Sequence, residues 1–132
     1  MNTLKFPYEK SDDGELLPQL RLTVYANKLF VESSAILDSG ASISLLRKDI
    51  ADTLKIKIQT GRPIDLDGVG GRVKGYIHRL PIAIGGKSLI IPIVFSYKFF
   101  ASVNLLGRAG FFEQFTVCFH EKEKITTLSE TV

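Results

Sequence analysis

An apolar strand that ends in an acid constrains the fold of this chain more than any other feature. Residues 29–37 have the composition of a β-strand, and their last apolar side chains run directly into Asp38, Ser39 and Gly40. An ionised carboxylate is costly to bury alone, so Asp38 must be solvated, paired or partly protonated. The alternative is a plain turn, because Asp-Ser-Gly is also common turn chemistry.

The rest of the chain is dominated by strand patterns. Leu20, Leu22 and Val24 alternate with polar residues, which predicts a strand with one face on the core. Further strands and turns are predicted as follows: an edge segment at residues 6–8, a turn at 11–14 that folds it onto the next strand, a turn at 26–28, a long hairpin over 64–80, strands 80–84 and 89–95 around Gly85 and Gly86, and a terminal hairpin of 116–120 and 125–128.

Two short helices are expected among these strands. Leu46, Ile50 and Leu54 recur at a spacing of four, which predicts a helix over residues 45–54 with Ser44 as its cap. A second short helix is expected around residues 109–114. The fold class is therefore mostly β with one or two short helices.

Size and composition restrict the function. The 132 residues have the length of one domain, so we expect a single domain over residues 1–132. The net charge of +3 comes from scattered Lys and Arg, and the sequence has no basic run interleaved with aromatics, so no nucleic-acid partner is expected. Cys118, in an apolar run, is expected to be a buried inert thiol, as in a reducing compartment.

Metal and membrane functions are also not expected. One cysteine and two distant histidines, His78 and His120, give no spacing typical of metal ligands, so neither a metal nor a cofactor is expected. The first residues have no apolar core of signal-peptide length, and the longest apolar run, residues 89–95, is too short to cross a bilayer. We expect a soluble, cytoplasmic protein with no membrane partner.

Two further segments invite a functional interpretation. The Gly68-Val69-Gly70-Gly71 segment does not fit a dinucleotide loop, because Val73 stands where a third glycine is needed and no helix follows. It is otherwise a hairpin tip, with or without a function. In the second segment, Leu105-Leu106-Gly107-Arg108, Gly107 permits a close backbone approach, and the Arg108 guanidinium needs a carboxylate or backbone carbonyls, which favours a structural role.

Together these three segments resemble the motifs of the retropepsins, the single-lobe aspartic peptidases of retroviral type. That family has an Asp-(Thr/Ser)-Gly-Ala loop, a glycine-rich flap, and two hydrophobic residues before Gly-Arg, in this order. The match covers roughly residues 20–115. Many retroviral members carry an acid shortly after the loop, whereas Ser42 and Ile43 stand here, so the resemblance leaves the partner of Arg108 open.

The resemblance implies a retropepsin-like closed acid-protease barrel, with one lobe per chain, and a role for each motif. Asp38 would be catalytic, Ser39 would bond across a dimer axis, and Gly40 would offer its carbonyl to the substrate. The implied substrate-binding residues are those of the flap and two side-chain subsites: Gly68, Val69, Gly70, Gly71, Val103 and Leu105. The aromatic residues Phe95, Tyr97, Phe99 and Phe100 would widen the subsites, or else pack in the core or at a dimer contact.

The implied activity needs two copies of the chain. Aspartic peptidases use two facing carboxylates that share a proton, and this sequence contains a single Asp-(Ser/Thr)-Gly motif. The resemblance therefore implies an aspartic endopeptidase that acts as a homodimer on an extended protein or peptide substrate. A retropepsin-like module kept for binding or dimerisation, without turnover, is the alternative. A small-ligand site at the glycine loop is a third interpretation, which the spacing disfavours.

Overall fold

The computed structural model describes residues 3–68, 71–98 and 103–131, and within them the chain is mostly β. The strands of this part are β1 (Thr3–Pro7), β2 (Glu9–Lys10), β3 (Leu16–Leu17), β4 (Gln19–Ala26), β5 (Leu29–Leu37), β6 (Ser44–Leu45), β7 (Arg62–Gly68), β8 (Gly71–Ile84), β9 (Lys87–Phe95), β10 (Asn104–Leu106), β11 (Phe115–His120) and β12 (Ile125–Glu130). Its helical elements are α1 (Lys48–Thr53), a 3₁₀ turn (Ile58–Thr60) and an irregular turn (Arg108–Phe112).

Six strands close into a barrel, as predicted. Neighbours pair in the order β4, β5, β10, β6, β9, β8, and β8 returns to β4 through the pairs Thr23–Ala83 and Val24–Ile82. Strand β7 pairs only with the first half of β8, so these two strands extend from the barrel as a hairpin. Each of the six strands therefore pairs with a neighbour on both sides along part of its length.

The alternating patterns place the core inside this barrel. Leu20, Leu22 and Val24 of β4 are almost fully buried, and the polar residues between them face outward. On β9, Ile91 and Ile93 are buried in the same way. Burial of this kind contributes about 1.5–3 kcal/mol for each large apolar side chain, so the barrel interior is the main source of stability.

Two predicted hairpin turns are confirmed. Asn27 and Lys28 both have positive φ, at 53° and 63°, as a two-residue turn between antiparallel strands requires. Gly85 and Gly86 join β8 to β9 in the same way, with φ values of 54° and 83°.

The prediction of an N-terminal hairpin is wrong, because the first strand pairs with a different partner. The turn at residues 11–14 exists, but it joins only β2 and β3. Strand β1 instead pairs antiparallel with β12, in a separate sheet of order β1, β12, β11 that includes the predicted terminal hairpin. The first strand therefore finds its partner near the other end of the sequence.

The predicted helix over residues 45–54 is shorter and lacks the predicted cap. It begins at Lys48, and Arg47 precedes it without a side-chain cap hydrogen bond. Ser44 lies in β6 instead, fully buried, where its hydroxyl accepts a hydrogen bond from the amide of Gly107. The apolar spacing still has its predicted effect, because Leu46, Ile50 and Leu54 all enter the core.

Two more expectations from sequence need correction. The helix expected at residues 109–114 is an irregular turn, because Ala109 and Gly110 leave helical geometry, with a φ of 79° at Gly110. Cys118 is exposed and not buried, since it lies on β11, at one edge of the three-stranded sheet. The strand Phe115–His120 buries only its first residue.

Candidate active site

Asp38 lies where two parallel strands end side by side. Strand β10 pairs in parallel with β5, and Leu106 lies opposite Leu37. The next residue, Asp38, donates its amide to the carbonyl of Leu106 at 2.9 Å. The carboxylate therefore stands at the mouth of the barrel, partly exposed, on a backbone held by the neighbouring strand.

The loop after Asp38 orients its carboxylate. The amide of Gly40 donates to Oδ1 of Asp38 at 2.9 Å, and the amide of Ala41 donates to the Asp38 carbonyl at 3.1 Å. A Cβ on Gly40 would lie 3.2 Å from Oδ1, so glycine keeps this turn tight. The Asp38 side chain has no other hydrogen bond within the described ranges, which leaves Oδ2 open to water or to a second carboxyl group.

Residues 107–109 hold the other side of the loop. The amides of Arg108 and Ala109 donate to the carbonyls of Ala41 and Ser42, each at 2.9 Å. At Gly107, a Cβ would lie only 2.5 Å from the carbonyl oxygen of Ile43. The predicted close backbone approach at Gly107 is therefore confirmed, and it occurs directly beneath the loop that carries Asp38.

A buried asparagine supports the same strands, and the sequence analysis missed it. Asn104 donates from its amide nitrogen to Ser33 Oγ at 3.1 Å and to the Ser34 carbonyl at 2.9 Å. Its Oδ1 accepts from the Arg47 amide at 2.7 Å. One side chain thus joins β5, β10 and the start of α1. The signal was present, because Asn104 is a polar residue inside an apolar run.

Ser39 and Gly40 are exposed beside Asp38, on the outer side of the loop. The Ser39 side chain forms no hydrogen bond in the portion of the chain that is described. The three residues Asp38, Ser39 and Gly40 therefore come together at one exposed edge.

Gly68 and Gly71, the described residues of the glycine-rich segment, end the two strands of the predicted long hairpin. Gly68 and Gly71 pair at the end of β7 and β8, and Gly71 has a φ of 114°, with open space for at least 4 Å around the position that a Cβ would take. Next to them, Arg72 and Asp67 form an exposed ion pair at 3.2 Å. The predicted tip residues Val69 and Gly70 lie outside the described residues.

The two predicted subsite residues lie on and beside β10. Within β10, Asn104 and Leu106 are buried and Leu105 between them is half-buried, so Leu105 faces away from the core. Val103, directly before the strand, is also half-buried. Leu105 is flanked by Ile36 of β5 and Leu45 of β6. Together these side chains form an apolar strip. Of the strands that carry it, β5 leads directly into Asp38 and β10 into Gly107.

The aromatic residues divide between two environments. Phe95 is fully buried, so it belongs to the core. Tyr97 is exposed, and its hydroxyl donates to Gln59 Oε1 at 2.5 Å. Phe99 and Phe100 lie outside the described residues.

Arg108 requires a correction. Its guanidinium is exposed, and it forms no hydrogen bond or ion pair with any of the described residues. The structural contribution at this position comes from the backbone amide that holds Ala41. The expectation of a side chain tied to a buried partner within the chain is therefore wrong for the described part.

Comparisons with known proteins agree with this geometry. A family model described as "Aspartyl protease" matches residues 22–99. A retropepsin-like aspartic protease from Rickettsia conorii has a similar fold, with a TM-score of 0.63 at 18% identity over 96% of this chain and 91% of that one. The EIAV protease complexed with the inhibitor HBY-793 aligns with a TM-score of 0.53 at 25% identity, over 71% of this chain and 84% of that one. No curated protein matches.

The chain belongs to the aspartyl protease family, and its barrel is the retropepsin-like acid-protease fold. In the described part of the chain, no helix is long and apolar enough to span a membrane.

Proposed function

We propose that this chain is an aspartic endopeptidase whose active site forms between two copies, each contributing Asp38. The observation that carries the proposal is the setting of that carboxylate. The backbone amide of Asp38 donates to the Leu106 carbonyl, and the Gly40 amide donates to Oδ1 of the carboxylate. The side chain is partly exposed, and among the described residues no group bonds to Oδ2. A lone carboxylate of this kind lacks the second acid that peptide hydrolysis requires, and the chain contains no second Asp-(Ser/Thr)-Gly motif.

The two carboxyl groups divide the chemistry. The ionised Asp38 takes a proton from a water molecule, whose oxygen attacks the scissile carbonyl carbon. The protonated Asp38 of the second copy donates its proton to the carbonyl oxygen, which gives a tetrahedral diol. When the C–N bond breaks, the amine leaves with a proton that a carboxyl group supplies, and the acid product keeps the new oxygen.

The surrounding motifs have supporting roles in this proposal. Ser39, exposed and without a hydrogen bond to the described residues, bonds to the second copy and fixes the two loops. Gly40 offers its carbonyl to the substrate backbone, and residues 68–71 cover the extended peptide and exclude water. Val103 and Leu105 contact substrate side chains, and a single domain over residues 1–132 supplies one lobe.

A dilution series of peptide cleavage tests the proposal. With a peptide library as substrate, specific activity should fall as the protein is diluted below its dimer dissociation constant, since neither copy holds a complete site. A transition-state analogue of aspartic peptidases should block cleavage.

Cleavage that survives dilution, or that ignores the analogue, would contradict a shared site. A stable dimer that cleaves no library peptide at any pH would instead support the alternative of a binding or dimerisation module.

A further inference from the structure

A polar cavity of about 310 Å³ lies on the outer face of the barrel, between the β2–β3 turn and strands β4, β5 and β10. Its apolar lining residues are Ile36 and Val103. Its polar lining includes Gln19, Ser33 and Ser34. A ligand that carries both an apolar part and a polar group therefore matches this lining.

The cavity carries an excess of positive charge. Its charged lining residues are Lys10, Arg21, Arg47 and Asp12. Arg47 is ion-paired with Asp49 at 3.0 Å. The side chains of Lys10 and Arg21 form no ion pair or hydrogen bond with the residues that the structure describes. Asp12 offsets only one of these charges, so the cavity favours an anionic group.

The hydrogen-bonding groups in the cavity also favour an anion. Arg21 offers a fork of N–H donors, and Lys10 offers an ammonium group. The Ser33 hydroxyl accepts from Asn104 at 3.1 Å, and its own hydrogen remains able to donate. A carboxylate, which only accepts hydrogen bonds, matches these donors.

The position of the cavity connects it to the proposed active site. Ile36 lies two residues before Asp38 on β5, about 7 Å along the strand. Arg21 lies opposite Ser34, four residues before Asp38, which is about 13 Å along the same strand. An extended peptide advances by a similar length per residue, so side chains within about four residues of the cleaved bond can reach this cavity.

We propose that this cavity is a substrate subsite that selects an acidic side chain, Glu or Asp, near the cleaved bond, with Arg21 and Lys10 as the residues that determine specificity. This inference rests on the proposed endopeptidase function and names its substrate class: extended peptides with an acid flanking an otherwise apolar cleavage site.

A matched set of peptides tests it. In one cleaved peptide, each of the four positions on either side of the bond is made Glu or Gln in turn, and kcat/KM is measured above about pH 5, where a glutamate of ordinary pKa near 4.3 is ionised. At one position, Glu should be preferred over Gln by about threefold to fivefold, as for a partly exposed ion pair. The preference should shrink in 0.5 M salt.

Variants distinguish a specific effect of Arg21 and Lys10 from an effect of the net charge of the protein. Arg21→Gln and Lys10→Gln should each reduce the Glu preference, and Arg21→Glu should reverse it in favour of Lys. Lys122→Gln removes the same charge from an exposed turn far along the chain and should leave the preference unchanged. Equal cleavage of Glu and Gln peptides by the wild type would overturn the inference while leaving the peptidase intact. A Glu preference that survives the combined Arg21→Gln and Lys10→Gln variant would do the same.

If the wild-type protein cleaves no peptide, the proposed function is wrong. A binding measurement then tests separately whether the cavity selects an acidic side chain. Fluorescein-labelled peptides of one sequence with Glu or Gln at its centre are titrated with the protein and followed by anisotropy. Tighter binding of the Glu peptide that Arg21→Gln and Lys10→Gln weaken supports an acid site, and equal binding overturns it.

Discussion

The Asp38 loop and the end of the β7–β8 hairpin are both short glycine-containing turns, but they are held in opposite ways. The loop donates the Asp38 amide to the Leu106 carbonyl at the end of β10 and accepts hydrogen bonds from the amides of Arg108 and Ala109. Gly107, between these residues, has no room for a methyl group. At the hairpin end, Gly71 has open space around it. Beyond the strand pairing itself, the described residues at the hairpin end form an exposed ion pair between Asp67 and Arg72.

This difference is what the proposed function needs, a fixed part and a movable part in one small fold. Backbone contacts with a packed neighbour hold the acid in place, as general acid–base chemistry requires. In the proposed function the hairpin end is the movable part, because a segment with few packed contacts opens at low free energy. The same residue type serves both, because glycine permits close approach in one place and positive φ in the other.

The largest expected effect comes from the fixed part, at the acid itself. Asp38→Asn should lower kcat/KM by about 100-fold to 10,000-fold, because the variant cannot act as a general base. At neutral pH the dimer should be as stable as the wild type or more so, since the like-charge repulsion is removed. Parallel measurements of peptide cleavage and sedimentation check both expectations.

Asp52→Asn is the matched control. It removes a carboxylate that pairs on the helix surface with Lys48 at 2.9 Å, so it should change stability by no more than about 0.5 kcal/mol and leave cleavage unchanged. An Asp38→Asn variant that still cleaves would mean that the loop fixes an acid without catalytic use.

The next effect tests the packing beneath the loop. Gly107→Ala places a methyl group 2.5 Å from the Ile43 carbonyl oxygen and 2.8 Å from that of Ala41. Backbone must shift to relieve this clash, so we expect a loss of about 2–3 kcal/mol in the free energy of unfolding. Activity should fall as well, because the displaced backbone carries Asp38. Urea unfolding and peptide cleavage measure the two losses.

Gly14→Ala gives the comparison. Gly14 has a φ of 87°, but an added methyl group there would meet no atom within 4 Å, so only backbone strain remains, at about 1–2 kcal/mol. If Gly107→Ala were no worse than Gly14→Ala, the loop would not be held by the contact we describe.

Much of this architecture could be predicted from sequence because its signals are local. The alternation in residues 20–24 and the apolar run that ends at Asp38 can each be recognised from neighbouring residues alone. The two strands that they predict, β4 and β5, lie where expected. The pairing of β1 with β12 could not be predicted, because more than a hundred residues separate partners such as Thr3 and Ser129. No local pattern specifies such a partner.

The environments of individual side chains were predicted wrongly for a related reason. Ser44 has the composition of a helix cap, but the same hydroxyl is used by the Gly107 amide from a distant strand. Cys118 sits in an apolar run, but its strand lies at the edge of a sheet and leaves it exposed. Asp38, Ser39 and Gly40 could be placed together because they are adjacent in sequence, whereas Asn104 required knowledge of the strands that it joins.

A smaller effect is expected at the movable part. Gly71→Val and Gly86→Val both place a β-branched residue at positive φ, and in both cases the new Cβ would have no neighbouring atom within 4 Å. Each should therefore lose about 1–2 kcal/mol of stability. Only Gly71→Val should lower turnover further, by about tenfold, because only that hairpin is proposed to bend over substrate. Melting temperature and kcat are measured for both variants. Equal losses of kcat in Gly71→Val and Gly86→Val would contradict a role of the hairpin as a flap.

The smallest effect is expected at Arg108, where the side chain and the backbone can be tested separately. The exposed guanidinium forms no bond to the described residues, so Arg108→Ala should change the free energy of unfolding by less than about 0.5 kcal/mol. Arg108→Pro removes the amide that donates to Ala41 at 2.9 Å and should lose about 1–3 kcal/mol. Unfolding of both variants at several protein concentrations separates the contributions. A loss for Arg108→Ala that appeared only at dimer-forming concentrations would place the partner of this guanidinium in the second copy, and the fixed region would then extend across the dimer axis.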